Sequence, residues 1–271
     1  MHAPVSTVQW VSTAYLLALA MAVPITGWAS ARFGAKRMWL VALTLFLIGS
    51  VLCGLAWDIG SLIAFRVVQG IGGGLMLPIL QTLLLRAANG RRIGRLMAVI
   101  TLPAMIGPIL GPVVGGLLLG HLDWRWIFGV NIPVCAVAIV LAWRGLEPDQ
   151  GSAKSALDIK GLLLISPALA GIIYGLTQVG DHGFGQAAVL APLVAGVVLL
   201  ATFVVRALRV RQPLIDVRLF EVRSFAASSA LMFLTGFALF GVMLILPLYF
   251  QQARGERGHF FSPTGLTTIR T

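Results

Sequence analysis

Residues 27–37 read GWASARFGAKR. Three cations, Arg32, Lys36 and Arg37, stand here with two glycines, Gly27 and Gly34, and no acid among them. The flanking stretches carry almost no charge. Each is close to the length of about 20 mostly apolar residues that a helix needs to cross a bilayer. The stretch therefore reads as a basic turn between two membrane-spanning helices. Its glycines suit tight backbone conformations at a helix exit and re-entry.

The composition agrees. Of 271 residues, 58% are hydrophobic and 11% charged, with a mean hydropathy of +0.94. Soluble domains are about 45–50% apolar and about 25% charged, so the fold class is an all-α integral membrane protein. Eight apolar segments are long enough to span, at residues 7–29, 38–57, 61–85, 95–119, 125–143, 159–179, 187–206 and 224–250.

Charge placement then gives a topology. The loops at 30–37, 86–95, 144–160 and 206–223 hold 15 of the 20 Lys and Arg. They all fall on one side when loops are taken alternately. The other side has Arg125, Arg254 and Arg257. The positive-inside rule puts the basic loops in the cytoplasm and both termini of the chain outside. The net charge of +11 is thus a topology signal, and no nucleic-acid partner is expected. Trp124 and Trp126 flank Arg125 where a helix re-enters the bilayer, as headgroup anchors do.

Little points to catalysis. RVVQGIGGG at 66–74 lacks the G-x-G-x-x-G spacing and closes no P-loop. His2, His121, His182 and His259 are scattered, and Cys53 and Cys135 lie in apolar runs without metal-ligand spacing. No enzyme, metal or cofactor is expected.

Two features carry mechanism. Arg66 is the one charged residue well inside a predicted span, with Gln69 and Gly70 just after it. Residues three apart share a helix face, so Arg66 and Gln69 either line a polar path or the arginine snorkels to the outer headgroups. GPILGPVVGG at 107–116 places Gly107, Gly111 and Gly115 on one face, followed by Gly116 and interleaved with Pro108 and Pro112. This is either a small-residue packing seam or a helix kinked for motion.

Together these stretches resemble the major facilitator superfamily, within it the fourteen-helix drug:proton antiporter branch. GWASARFGAKR resembles the signature loop between the second and third helices, FRVVQGIGGG that of the fourth helix, GPILGPVVGG the antiporter signature of the fifth, and LDWRWIFGVNIPV (122–134) the start of the sixth. The resemblance runs from about residue 4 to about residue 257. It implies proton-coupled efflux of small lipophilic drugs or metabolites across the plasma membrane, with protons as the coupling ion. Arg66, Gln69 and Gly70 would belong to the coupling path. Gly107, Pro108, Gly111, Pro112, Gly115 and Gly116 would form the antiporter face, and Gly27, Arg32, Gly34, Lys36 and Arg37 the cytoplasmic gating loop. The family's loop usually has an aspartate before the arginine, where this chain has Ala31, which implies a weaker hold on the outward-facing state.

The resemblance also divides the chain. Residues 1–145 are expected to supply family helices 2–6, 146–158 a cytoplasmic linker, and 159–206 the two extra linker helices. Residues 207–250 would hold a cytoplasmic loop and the first helix of the C-terminal bundle, with 251–271 a non-membrane, frameshifted tail. The nine acids all lie in loops or near helix ends, so a mid-membrane proton carrier is missing. The expectation is a truncated, inactive form of an exporter. The alternative is a small membrane protein whose partner chain supplies the missing helices.

Overall fold

The structure, a computed structural model, describes residues 5–88, 94, 106–107, 110–111, 114–118, 120–147, 151, 156–179, 183 and 185–253. All regular elements among them are helical. Two compact units emerge: Met1–Gly107 with Asp123–Asp216, and Pro108–Leu122 with Val217–Thr271.

In the first unit, α1 (Val5–Ala22) passes through a 3-10 turn (Val23–Ile25) into α2 (Thr26–Phe33). Then follow α3 (Ala35–Gly54), α4 (Ile59–Ala88), α5 (Trp126–Gly129), α6 (Asn131–Gly145), α7 (Ile159–Thr177) and α8 (Ala187–Arg209). Among the described residues, six stretches are long and apolar enough to cross a membrane: Gln9–Phe33, Ala35–Gly54, Ile59–Ala87, Trp126–Gly145, Ile159–Thr177 and Ala187–Arg209. These match six of the eight expected spans. The expected span at 95–119 lies largely outside the described residues. The last one falls in α9 (Arg223–Ala253) of the second unit, which follows a 3-10 turn (Val217–Glu221).

The turn at 27–37 is tighter than expected. Helix continues to Phe33 and resumes at Ala35, leaving Gly34 alone between them. Gly34 has φ +91° and ψ +143°, where a side chain is strained. Gly27, by contrast, lies inside α2 with open space around its Cα. The expectation of a tight conformation at Gly27 is therefore corrected, because the helix has not yet ended there.

Within this unit α4 packs between α1 and α3, α6 lies on α3, α7 on α1, and α8 on α7. Glycines set the closest approaches. A Cβ at Gly70 would meet Tyr15 O and Ala18 Cβ, one at Gly74 would meet Leu19 O, and one at Gly72 would stand 2.5 Å from Phe46 N and 2.9 Å from Ala42 O. Gly70 and Gly74 thus admit α1, while Gly72 admits α3. The GIGGG run is a two-sided packing seam of the kind that lets membrane helices touch backbone to backbone.

Polar contacts close both ends of the unit. At one end Asp58 caps α4, accepting from the Ser61 amide at 2.6 Å while its own N–H donates to Ser61 Oγ. There Arg125 stacks on Trp124, pairs with Asp123 at 3.2 Å and donates from Nη2 to Ala56 O at 3.1 Å. Read from sequence as a headgroup anchor, this residue also ties the start of α5 to the end of α3. At the other end Lys36 Nζ donates to Trp143 O (2.9 Å) and Leu146 O, the carbonyls at the end of α6. A cation there complements the helix dipole. Asp158 caps α7 and pairs with Arg206 of α8 at 2.7 Å. Among the described residues, parts of the basic loops at 30–37, 144–160 and 206–223 therefore meet at one end of this unit.

Candidate functional site: a buried arginine between three helices

Arg66 lies two turns into α4, about 10 Å along the axis from its start. It does not reach back toward the helix end. Its Nη1 donates to Gln69 Oε1 at 2.8 Å, three residues further into the membrane. Its guanidinium carbon stands 5.0 Å from the ring centroids of both Tyr15 (α1) and Phe128 (α5), so two aromatic faces flank the cation. Such contacts stabilise a desolvated cation by about 2 kcal/mol. Of the two readings left open by the sequence, a group turned inward fits this geometry, and snorkelling does not.

Gln69 is 1% exposed and extends the network. Its Nε2 donates to Ser50 Oγ (α3) at 2.6 Å, and Asn131 Nδ2, at the start of α6, reaches the same oxygen at 3.3 Å. Cys53 Sγ lies 4.0 Å from Gln69 Oε1. Arg66 Nε is buried with no hydrogen-bond partner among the described residues. No Asp or Glu among the described residues pairs with this cation. A guanidinium stays protonated, so the site holds a permanent positive charge in an apolar setting. A cleft of about 270 Å³ opens beside Ser50, between α3 and the α5–α6 segment.

The structure thus joins Arg66 and Gln69, as their spacing implied, and adds Tyr15, Ser50, Phe128 and Asn131. The sequence did hold a signal for two of these, since Ser50 and Asn131 are polar residues inside predicted spans. Gly70 sits at the contact with α1. Gly107 lies in the first unit, and Gly111 and Gly115 in the second. A Cβ at any of these three would meet nothing within 4 Å. Gly116 is half-buried, and Pro108 and Pro112 lie outside the described residues. Of the turn residues, Gly34 and Lys36 have the roles given above. Arg32 and Arg37 are exposed at the same end. Among the described residues no three His, Cys, Asp or Glu side chains gather as a metal site would require.

A multi-pass helical bundle with a charged group buried between its spans has an architecture that membrane proteins use to build ion and substrate paths. The comparisons name the family. The Major Facilitator Superfamily profile matches residues 1–269. A multidrug resistance protein B homolog of Mycobacterium tuberculosis is 43% identical over 249 residues, covering 91% of this chain and 46% of that protein. The probable transport protein HsrA of Haemophilus influenzae is 34% identical over 273 residues, 99% of this chain and 59% of its own length. The lincomycin resistance protein LmrB of Bacillus subtilis is 31% identical over 248 residues, 91% and 52% respectively. The chain belongs to the major facilitator superfamily, a family of transporters and not of enzymes. It spans about half the length of these curated relatives.

Proposed function

We propose that this chain is part of a proton-coupled exporter of small lipophilic compounds in the plasma membrane, with its basic loops in the cytoplasm. The observation that carries the reading is Arg66, a permanent cation held inside a membrane bundle by one amide and two aromatic faces. A charge costs about 2.5–3.5 kcal/mol at mid-helix on insertion scales and less toward the helix ends, and such buried groups are characteristic of ion or proton paths. Arg66 would lower the pKa of a carboxylate brought near it and raise it again on separation, which couples a proton to a conformational change. The relatives' names, multidrug resistance and lincomycin resistance, support a small-molecule cargo.

In this reading residues 1–145 contribute helices of the N-terminal bundle, 159–206 a linker pair, and α9 the first helix of a C-terminal bundle. Gly107, Gly111, Pro112, Gly115 and Gly116 form the face along which the two bundles move. The turn around Gly34 gates the cytoplasmic side. The test is efflux of a fluorescent lipophilic cation from cells expressing the whole exporter to which this chain would belong, driven by an imposed pH gradient. Arg66→Ala and Arg66→Lys should each lower gradient-driven efflux at least tenfold at unchanged membrane levels. Efflux indifferent to the gradient in the wild type would sink the proposal.

A further inference from the structure

Gln69 is a buried amide, and an amide has two unlike ends. Its oxygen needs a donor and its nitrogen needs an acceptor. Arg66 is a donor without an acceptor atom, so the end of Gln69 that faces it must be the oxygen. The nitrogen end then points toward α3, where Ser50 Oγ receives it at 2.6 Å. Asn131 Nδ2 also donates to that oxygen. Two incoming donors leave the Ser50 hydroxyl acting toward Gln69 as an acceptor. Gly49, its neighbour, makes this contact reachable. A Cβ at Gly49 would lie 2.6 Å from Gln69 Cα, Cβ and N, so the backbones of α3 and α4 touch at this level. The Gly49–Ser50 pair is absent from the signatures that the sequence displays, and no role in transport follows from packing alone.

We infer that Ser50 is a positioning residue for Arg66, acting through the orientation of the Gln69 amide. The inference rests on the reading of Arg66 as the coupling group. Without the Ser50 hydroxyl, the Gln69 nitrogen end is left buried without its acceptor, a costly state. The amide then turns, and Arg66 loses the one side-chain hydrogen bond it makes among the described residues, which fixes its direction. The Tyr15 and Phe128 rings flank the guanidinium but do not fix where its N–H groups point. Among the described residues, the titratable groups facing Arg66 are Tyr15 of α1 and Cys53 of α3. Phe128 and Asn131, from α5 and α6, do not titrate.

The test uses Ser50→Ala and Ser50→Thr in the whole protein, with Cys135→Ser and any cysteine outside this chain also replaced by Ser, so that Cys53 is the sole thiol. The first readout is alkylation of Cys53 by N-ethylmaleimide in nanodiscs, since this thiol sits against Gln69 Oε1. Ser50→Ala should alkylate about 5-fold faster than its parent, the factor for losing one hydrogen bond. Ser50→Thr, which keeps the hydroxyl, should match the parent. The second readout is the pH profile of gradient-driven efflux. Ser50→Ala should displace it in the same direction as Arg66→Lys, with rescue by Ser50→Thr.

Equal alkylation rates in Ser50→Ala and its parent overturn the inference outright. Faster alkylation with an unmoved pH profile, where Arg66→Lys moves it, also overturns it and leaves the coupling reading standing. If the Arg66 variants leave efflux unchanged, the coupling reading fails and this inference falls with it.

Discussion

Asp158 offers the most direct energetic test of how the α7–α8 pair is held. Its side chain is 7% exposed and receives three hydrogen bonds, from Gly161 N at 3.0 Å, Arg206 Nη1 at 2.7 Å and Leu214 N at 3.4 Å. Replacing it by alanine removes a helix N-cap, about 1 kcal/mol. It also removes a charge-assisted bond to Arg206. That bond is taken at the low end, about 1.5 kcal/mol, because the guanidinium side chain is 25% exposed. The expected loss is therefore about 2–3 kcal/mol. Cys53 and Cys135 are buried and free, so a thiol-reactive dye reports thermal unfolding in detergent. Asp158→Ala, Arg206→Ala and the double variant form a cycle, whose coupling should be about 1–2 kcal/mol. Additivity within about 0.5 kcal/mol would show that the pair contributes nothing and refute the reasoning.

The same group predicts a pH dependence. The hydrogen bond from Arg206, then those from Gly161 and the nearby positive charge, hold the Asp158 carboxyl below the ordinary carboxylate range despite its burial. A depressed folded value means that the native state binds the ionised form preferentially. Its stabilisation is complete above the unfolded pKa of about 3.9. It fades as the pH falls from there through the lower folded value. Asp158→Asn should flatten the acid limb of the stability curve.

Other perturbations separate contacts from empty space. Gly72→Ala should cost about 1–3 kcal/mol by pushing α3 away from α4, whereas Gly27→Ala should stay within about 0.5 kcal/mol, both read by the same thermal assay. Gly34→Ala places a side chain at φ +91° and should cost about 1–3 kcal/mol, with loss of the Lys36 contact to α6 visible as faster amide exchange near Leu146. Pro24 lacks an N–H, so the 3-10 turn leaves Met21 O without a backbone donor at Pro24, and Ser166 Oγ of α7 donates to it at 3.0 Å. Ser166→Ala should raise amide exchange around residues 22–26 by about 5-fold, and unchanged exchange would remove Ser166 as a support of that bend.

Much of the architecture is legible in the sequence. Long apolar runs interrupted by one-signed charge fix spans and their alternation, because the cost of exposing backbone or burying charge in lipid is local to each segment. The six described spans follow from that, as does Arg66, whose charge stands out against an apolar run. The three motif glycines at 107, 111 and 115 were equally visible, yet their spacing does not say what faces them.

Partnership across helices was not legible. Ser50 and Asn131 are 81 residues apart and meet at one oxygen, and a serine in an apolar run looks the same whether it bonds its own turn or another helix. Lys36 read as a topology charge and, by the resemblance, as part of the cytoplasmic gating loop, and the tertiary structure adds a contact that caps α6. Gly27 and Gly34 are the same residue in the same motif, and their backbone angles separate them. By itself the sequence determined which segments enter the membrane, since that depends on residue-by-residue transfer energies. The tertiary structure decided which face of each helix meets which. That depends on the depth and rotation set where Gly49, Gly70, Gly72 and Gly74 let backbones touch, and those contacts bring Ser50, Gln69 and Arg66 into one line.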